Sequence, residues 1–370
     1  MKATVIFSEG LRDYDFGEGH PYRGDRYDGF ISLFNEKLEH NPSFSVMEPE
    51  YATDDDLLLV HDREYVDFVQ AASKGVVAPN WPRFASGDNL SPGTGSLPLG
   101  IDKAARLIAG TSKLAAELVW KKECDVAIGI GGGLHHAKPR YGEGFCIYND
   151  VAICACHLIK RFGAERILIL DSDAHAGNGT CEMFYEESRV LLVDLHQDPA
   201  TLYPGVGFAN EIGTGLGKGF TVNIPMPPLA SDQAYEYALR EIFIPLATEF
   251  RPQVIIRNGG CDPHFADGLT SLGVTLKGLN MIGGFVREAA SLCECGVVDL
   301  VTSGYNPRVL SQGWLALISG VTGVDVELED LPYPKWLAES NQLVETQRVI
   351  EECKQYLKPY WKSLSKEEPR

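Results

Sequence analysis

The sequence predicts an α/β protein: a single domain with three α/β/α layers and a mainly parallel central sheet. Short runs of Val, Ile and Leu recur along the 370 residues, and stretches with helical spacing separate them. Strands that are apolar on both faces are covered on both sides. Helical connections between such strands indicate parallel pairing with right-handed crossovers.

The predicted strands begin near the N-terminus, where Ala3–Phe7 is expected to join the sheet. The main apolar runs are Asp125–Ile130, Ile167–Asp171, Val190–Leu195, Val254–Asn258 and Val297–Thr302. A shorter run at Phe220–Ile224 is also strand-like, and the glycine-rich segment from Gly213 to Gly219 before it favours turns.

Amphipathic spacing predicts the covering helices. They are Asp102–Trp120, Asp150–Arg161, Asp232–Phe250, Leu276–Glu288 and Trp336–Leu357. The segment Val76–Gly100 is rich in Pro, Gly, Ser and Asn and has no clear period, which predicts a long ordered loop. One domain over residues 1–370 is the simplest account, with a C-terminal helix (333–357) packed on it and a frayed tail (365–370).

Charge and cysteine content exclude several classes of function. The chain has 51 acidic against 33 basic residues, a net charge of −18, whereas nucleic-acid binding depends on cations that meet phosphates. No apolar run suits a membrane span or a signal peptide. The nine cysteines form no Cys-x-x-Cys pair and lie mostly in apolar runs, which indicates reduced thiols. We therefore expect a cytoplasmic protein that binds neither nucleic acid nor membranes.

Polar residues collect where predicted strands end, which is where ligands bind in open parallel sheets. Four such segments are rich in His and Asp or end in Gly-Tyr. They are Gly131–His136, Asp171–Gly179, Gly259–Asp267 and Gly304–Tyr305. Because parallel strands end at the same edge of a sheet, we expect these segments to converge on one site.

Asp173 and His175 indicate a metal site within this group. If the backbone remains extended after the last residue of the strand, the two side chains point to the same face and can coordinate one metal ion. A third ligand from another strand end would complete a hydrolytic zinc site, and Asp262, His264 and Asp267 are the candidates. The same spacing also fits a strand-end turn whose carboxylates cap a helix.

The adjacent histidines His135 and His136 suggest proton transfer, because histidine titrates near neutral pH. Their second ring nitrogens need partners, and Asp171 and Asn178 are available in the metal loop. Tyr305 follows a glycine at the last strand end and is suited to donate a hydrogen bond to a developing oxyanion, although a lone tyrosine there more often serves packing.

In this order, the segments resemble the zinc-dependent histone deacetylase and acetoin-utilisation family over roughly residues 3–325. The matching motifs are Gly19–Arg26, Gly132–Ala137, Gly144–Asp150, Asp171–Gly179, Leu195–Gln197 with Tyr203–Gly205, Asp262–Asp267 and Gly304–Asn306. The resemblance implies the arginase/deacetylase fold and a metal-dependent amidohydrolase activity.

The resemblance also implies roles for individual residues. The ligands of Zn²⁺, or of Fe²⁺, would be Asp173, His175 and Asp267. His136 would be the general base and His135 its electrostatic or acid partner. Asp171 would orient His135, and Asn178 would orient His136. Tyr305 would polarise the amide carbonyl and stabilise the oxyanion.

Further residues around the substrate follow from the same resemblance. Phe145 and Tyr203 would wall an acyl-lysine tunnel with Gly144 beside them, and Asp88 would hold the substrate backbone at the rim. Arg26 would lie behind the site, near an acetate exit. A structural K⁺ would be held by backbone oxygens of Asp171, Asp173, His175 and Leu195, helped by Asp194.

This sequence departs from the family pattern at several positions. Ala176 stands where a second histidine is usual, Gly268 replaces a proline, and Thr302-Ser303 replace Glu-Gly. Asn178 and His264 are similar to the class II branch and its prokaryotic relatives.

The expected function is removal of an acetyl or other short acyl group from an amine, foremost an acetyl-lysine side chain. The first alternative is a small acylated amine such as an acetylpolyamine, which the acidic surface would suit. A two-manganese ureohydrolase is less favoured, because Gly177 and His264 stand where extra carboxylates are expected. Ala176 keeps open a metal or acyl sensor without turnover. A homo-oligomer is left open.

Overall fold

The computed structural model describes residues 1–76, 80–338 and 342–365. Within these ranges an eight-stranded sheet has the order β2-β1-β3-β8-β7-β4-β5-β6. The strands are β1 (Ala3–Ile6), β2 (Phe44–Met47), β3 (Val126–Ile130), β4 (Ile167–Asp171), β5 (Val190–Gln197), β6 (Thr221–Met226), β7 (Val254–Asn258) and β8 (Gly296–Val301). Every neighbouring pair is parallel, so the predicted fold class is confirmed.

Helices flank this sheet. They are α1 (Arg26–Leu38), α2 (Asp54–Leu57), α3 (Arg63–Ala72), α4 (Ile101–Trp120), α5 (Asp150–Phe162), α6 (Asn178–Phe184), α7 (Asp232–Ala238), α8 (Ile244–Phe250), α9 (Leu276–Cys293), α10 (Leu310–Thr322), α11 (Lys335–Ala338) and α12 (Gln342–Leu357). None of the described helices is both long and apolar enough to cross a membrane.

Two apolar cores lie on opposite faces of the sheet, because successive strand residues point to opposite sides. On β4, Leu168 and Leu170 belong to one core together with residues of α9 and α10. Ile167 and Ile169 alternate with them and belong to the other core, which includes much of α5. Helix, sheet and helix layers follow from this alternation.

Several elements differ from the prediction. The sequence analysis missed β2, α1, α2, α3, α6 and α10. The predicted helix Asp232–Phe250 runs as α7, a π-helical turn at Leu239–Phe243, and α8. Pro245 lies in the first turn of α8 and has no backbone N–H to donate, which accounts for an irregular ladder at this point.

The described part of the predicted loop 76–100 contains only the short 3₁₀ turns Trp81–Arg83 and Gly87–Asn89, as expected. Residues 77–79 of that loop, 339–341 of the predicted C-terminal helix and 366–370 of the predicted tail lie outside the described residues. All nine cysteines are free thiols, which agrees with the prediction of reduced cysteines.

Candidate active site

The ends of four adjacent strands bring the predicted polar segments together. β3, β8, β7 and β4 are neighbours in the sheet, and the loops after β3, β4 and β8 line a cavity of about 20 Å³. That space suits about one water molecule. Its lining includes His135, His136, Asp173, His175 and Tyr305. The segment after β7 joins the group through Asp262, as the strand-end positions predict.

A cluster of metal-ligating side chains lies beside this cavity. The donor atoms of Asp173, His175 and Asp262 are all within 4.8 Å of one another. Nδ1 of His175 is 3.1 Å from Oδ1 of Asp173 and 3.1 Å from Oδ2 of Asp262. Burial and the neighbouring carboxylate of Asp173 raise the pKa of Asp262 to about 8. A bound cation would relieve this repulsion, so the donor set fits a divalent metal.

The other two candidates for the third ligand make different contacts. Asp267 accepts hydrogen bonds from the backbone N–H groups of Tyr305, at 2.7 Å, and Leu269, at 2.9 Å. Its carboxylate oxygens, the atoms that would ligate a metal, are not part of the cluster of ligand atoms within 4.8 Å of one another. Nε2 of His264 lies 2.8 Å from Oδ1 of Asp330, and its Nδ1 accepts from a backbone N–H. Both ring nitrogens of His264 are therefore engaged elsewhere.

His135 is buried against carboxylates. Its Nδ1 lies 2.8 Å from Oδ2 of Asp171, and the same oxygen accepts from the side-chain amide of Asn258. Burial alone would lower the pKa of His135, but the charges of Asp171 and Asp173 raise it to about 9. The two carboxylates therefore favour the imidazolium form of His135.

His136 has the opposite electrostatic surroundings. Burial lowers its pKa well below the ordinary value, and the neighbouring rings of His135 and His175 lower it further. Its Nδ1 lies 2.8 Å from Oδ1 of Asn178. The backbone of Gly144 passes so close that a Cβ there would come within 2.2 Å of the His136 ring. His136 is therefore a neutral, tightly packed imidazole.

Aromatic rings surround the two histidines. The rings of His136 and Tyr203 meet edge to face at 5.3 Å, and those of Phe145 and Tyr305 at 5.9 Å. Burial raises the pKa of Tyr305 well above its ordinary value, so its hydroxyl remains a donor. The guanidinium of Arg26 lies 5.4 Å from the Tyr305 ring centroid. These contacts place the predicted tunnel residues beside the histidine pair.

Asp88 lies next to this aromatic wall. One of its carboxylate oxygens accepts from the backbone N–H of Gly144 at 3.1 Å, and the other accepts from the hydroxyl of Ser86. Burial raises the pKa of Asp88. Its observed contacts hold the tunnel loop, and a contact with substrate stays a prediction.

The residues predicted to hold K⁺ lie at the ends of β4 and β5, where Asp171 and Asp194 are register partners. The carboxylate of Asp194 accepts from the backbone N–H of Gly177 at 2.8 Å and lies 2.7 Å from Nδ1 of His196. Each of its oxygens therefore has one hydrogen-bond partner, and backbone oxygens stay the predicted main ligands of any K⁺. The ion stays a prediction.

The sequence analysis missed a contact of Glu143. Its Oε1 accepts a hydrogen bond from Nδ2 of Asn178 at 2.8 Å and lies 3.0 Å from Nζ of Lys138. The available signal was its position, directly before Gly144 and Phe145 in a motif that was singled out.

The chain is similar to known proteins in both sequence and fold. The profile of the histone deacetylase domain matches residues 20–321. A "Probable deacetylase" of Archaeoglobus fulgidus is 37% identical, over 98% of this chain and 99% of that protein. "Acetoin utilization protein AcuC" of Staphylococcus aureus strain MSSA476 is 32% identical, over 93% and 88%. The solved HDA15 HD domain has a TM-score of 0.84 at 25% identity, over 99% and 98% of the two chains.

Proposed function

This chain belongs to the histone deacetylase family, and from that premise we propose that it is a metal-dependent deacetylase. It hydrolyses the amide of an acetylated or short-acylated amine, and the amine is a lysine side chain. One observation carries the proposal: His136, the Asp173–His175 pair and Tyr305 line one small cavity, and burial favours the neutral form of His136 by lowering its pKa. General base, metal ligands and oxyanion donor are thus within reach of one carbonyl group.

The metal is proposed to be Zn²⁺, with Fe²⁺ as the other candidate. Its proposed ligands are Asp173, His175 and Asp267. When bound, the ion would polarise the acyl carbonyl and lower the pKa of a water molecule. Asp262 is fully buried, whereas Asp267 is partly exposed, which suits a ligand of an ion that the substrate must reach. We therefore assign Asp262 a supporting role behind His175.

The two histidines and Tyr305 have separate roles in proton transfer and in stabilisation of the oxyanion. His136 accepts a proton from the attacking water, whose oxygen bonds to the acyl carbon. The Tyr305 hydroxyl donates to the resulting oxyanion. Cationic His135 stabilises that charge, and when the C–N bond breaks the leaving nitrogen takes a proton from the histidine pair. The products are a carboxylate and a free amine.

The residues around the cavity suit a linear acyl-amine. Phe145 and Tyr203 form the walls of the proposed tunnel, which takes the aliphatic part of the substrate's lysine side chain. Gly144 lies beside them, between Phe145 and His136. Asp88 has a remaining lone pair on each oxygen and is proposed to accept from the backbone of a peptide substrate. A structural K⁺ on Asp171, Asp173, His175, Asp194 and Leu195 is part of the same proposal.

Turnover after metal removal tests this function. Purified protein is stripped with a chelator, reloaded with Zn²⁺ or Fe²⁺, and assayed with an acetyl-lysine peptide and with acetylspermidine. We expect metal-dependent release of acetate from the peptide. Preference for acetylspermidine would indicate that the substrate is a small acylated amine instead of an acetyl-lysine side chain. Tight binding of a hydroxamate without turnover of any acyl amide would contradict the enzyme proposal and favour a sensor.

A further inference from the structure

Glu143, Asn178 and His136 form a hydrogen-bonded chain that ends at the catalytic base. Oε1 of Glu143 accepts from Nδ2 of Asn178 at 2.8 Å. Oδ1 of the same asparagine lies 2.8 Å from Nδ1 of His136. Each end of the Asn178 amide therefore has one partner, and the partners differ in chemistry.

The chemistry of Glu143 fixes the direction of this chain. The ammonium group of Lys138 lies 3.0 Å from Oε1 and forms an ion pair with the carboxylate. An ionised carboxylate only accepts hydrogen bonds, so it selects the NH₂ end of the Asn178 amide. The oxygen end must then face His136. Because an amide oxygen only accepts, Nδ1 of His136 carries the proton and Nε2 keeps its lone pair.

The loop around Glu143 is built to hold it there. The backbone pairs Lys138 with Tyr141 and Glu143 with Cys146 in two antiparallel bridges. The Glu143 side chain is 15% exposed. Gly144, the next residue, adopts φ +60° against the His136 ring. The turn that presents Glu143 to Asn178 is thus packed on the histidine whose tautomer is at issue.

We propose that Glu143 is a positioning residue that sets the Nδ1–H tautomer of His136 through the Asn178 amide. The inference deepens the proposed function and rests on His136 as its general base. A carboxylate at position 178 would accept in either orientation and would need no such partner. An amide can rotate, and with its NH₂ end toward His136 it would favour the Nε2–H tautomer, which cannot accept a proton from water. Glu143 removes that alternative.

The Glu143→Ala substitution tests the proposal in two backgrounds, in which it should change kcat in opposite directions. Glu143→Ala frees the Asn178 amide, and we expect kcat to fall about 10- to 100-fold with little change in KM. In the Asn178→Asp background, Glu143 would instead face a second carboxylate, and its removal should raise activity. The double variant Glu143→Ala/Asn178→Asp should therefore exceed each single variant. A purely structural role of Glu143 predicts no such reversal.

A measurement without turnover tests the tautomer itself. The ¹⁵N shifts of His136 in the Zn²⁺-loaded protein, assigned by comparison with His136→Gln, should show the Nδ1–H form in the wild type. In Glu143→Ala, part or all of the His136 population should shift to the Nε2–H form. Glu143→Gln retains an acceptor at this position, so its shift toward the Nε2–H form should be smaller than that of Glu143→Ala. This readout stands even if no acyl amide is hydrolysed.

Glu182→Gln is the matched control, because Glu182 lies 4.0 Å from the same Lys138 and on the same surface. It should leave both the tautomer and kcat unchanged. An unchanged His136 tautomer in Glu143→Ala would overturn the proposal, whether or not activity falls. So would a double variant that is no more active than Asn178→Asp alone.

Discussion

The imidazole rings of His135 and His136 lie 4.1 Å apart between centroids, and their surroundings shift their pKa values in opposite directions. The carboxylates of Asp171 and Asp173 outweigh burial and raise the pKa of His135 to about 9. Burial and two adjacent imidazoles lower the pKa of His136 well below its ordinary value. Adjacent groups with separated pKa values can act as acid and base at the same pH.

Removal of either ring should therefore impair the chemical step. General acid–base catalysis contributes about 10²- to 10⁴-fold, and we expect His136→Ala to lower kcat by an amount in that range and His135→Ala to lower it as well. Steady-state kinetics with an acetyl-lysine peptide measures both losses, and metal analysis should find normal Zn²⁺ content. His40→Ala is the control, because His40 is exposed and does not line the cavity. Near-normal kcat in His136→Ala would remove His136 as the base.

The central strands could be predicted because their sequences are apolar on both faces. β4 and β7 begin and end where the runs Ile167–Asp171 and Val254–Asn258 predict. β2 was missed because it is an edge strand whose Val46 and Met47 are exposed. α10 was missed for the opposite reason: it is buried on nearly all sides, so its sequence shows no amphipathic period.

Strand-end positions were enough to predict which segments meet, but not which side-chain atoms do. The His135–Asp171 and His136–Asn178 contacts are the pairs that the family resemblance implied, whereas the residues alone had left the pairing open. Spacing could not separate Asp262 from Asp267, because both follow β7 in one irregular loop. Glu143 was missed because its contact depends on a turn with positive φ at two residues, which hydrophobic periodicity does not encode.

Tyr305→Phe removes the proposed oxyanion donor while keeping the aromatic contact with Phe145. Loss of one such donor typically costs about 10²–10³ in kcat, and KM should change little because the ring still packs against the tunnel wall. Kinetics with the acetyl-lysine peptide checks this. Tyr356→Phe, at an exposed position of α12, should behave as wild type. Equal losses in kcat and affinity for a substrate analogue would indicate a packing role instead.

The two carboxylates after β7 should differ in their effect on metal binding. Asp262→Asn removes a supporting contact of His175 and should weaken Zn²⁺ binding about 10- to 100-fold. Asp267→Asn removes a proposed ligand and should weaken it more. Competition with a chromogenic chelator gives both affinities. The reverse order would make Asp262 the third ligand, in line with its place in the 4.8 Å cluster.

His61 should make stability depend on pH through a group outside the catalytic pair. Its Nε2 accepts from the backbone N–H of Asn149 at 2.9 Å, and its Nδ1 lies 3.0 Å from the Lys138 carbonyl oxygen. The ring is 3% exposed, and burial lowers its pKa to about 4. In the unfolded chain a histidine titrates near pH 6.5. Between these values the unfolded state binds more protons, so stability is full above about pH 6.5.

The free energy of unfolding should therefore fall as the pH drops from about 6.5 to 4, and the His61 contribution amounts to about 3 kcal/mol. His61→Gln keeps a donor and an acceptor but does not titrate, so its loss over this range should be smaller by about that amount. Urea unfolding at several pH values measures the difference, and other titrating groups cancel between the two proteins. His40→Gln, a substitution of a histidine at an exposed position, is the control. Parallel curves for wild type and His61→Gln would show that the His61 ring is protonated as easily in the folded protein as in the unfolded chain.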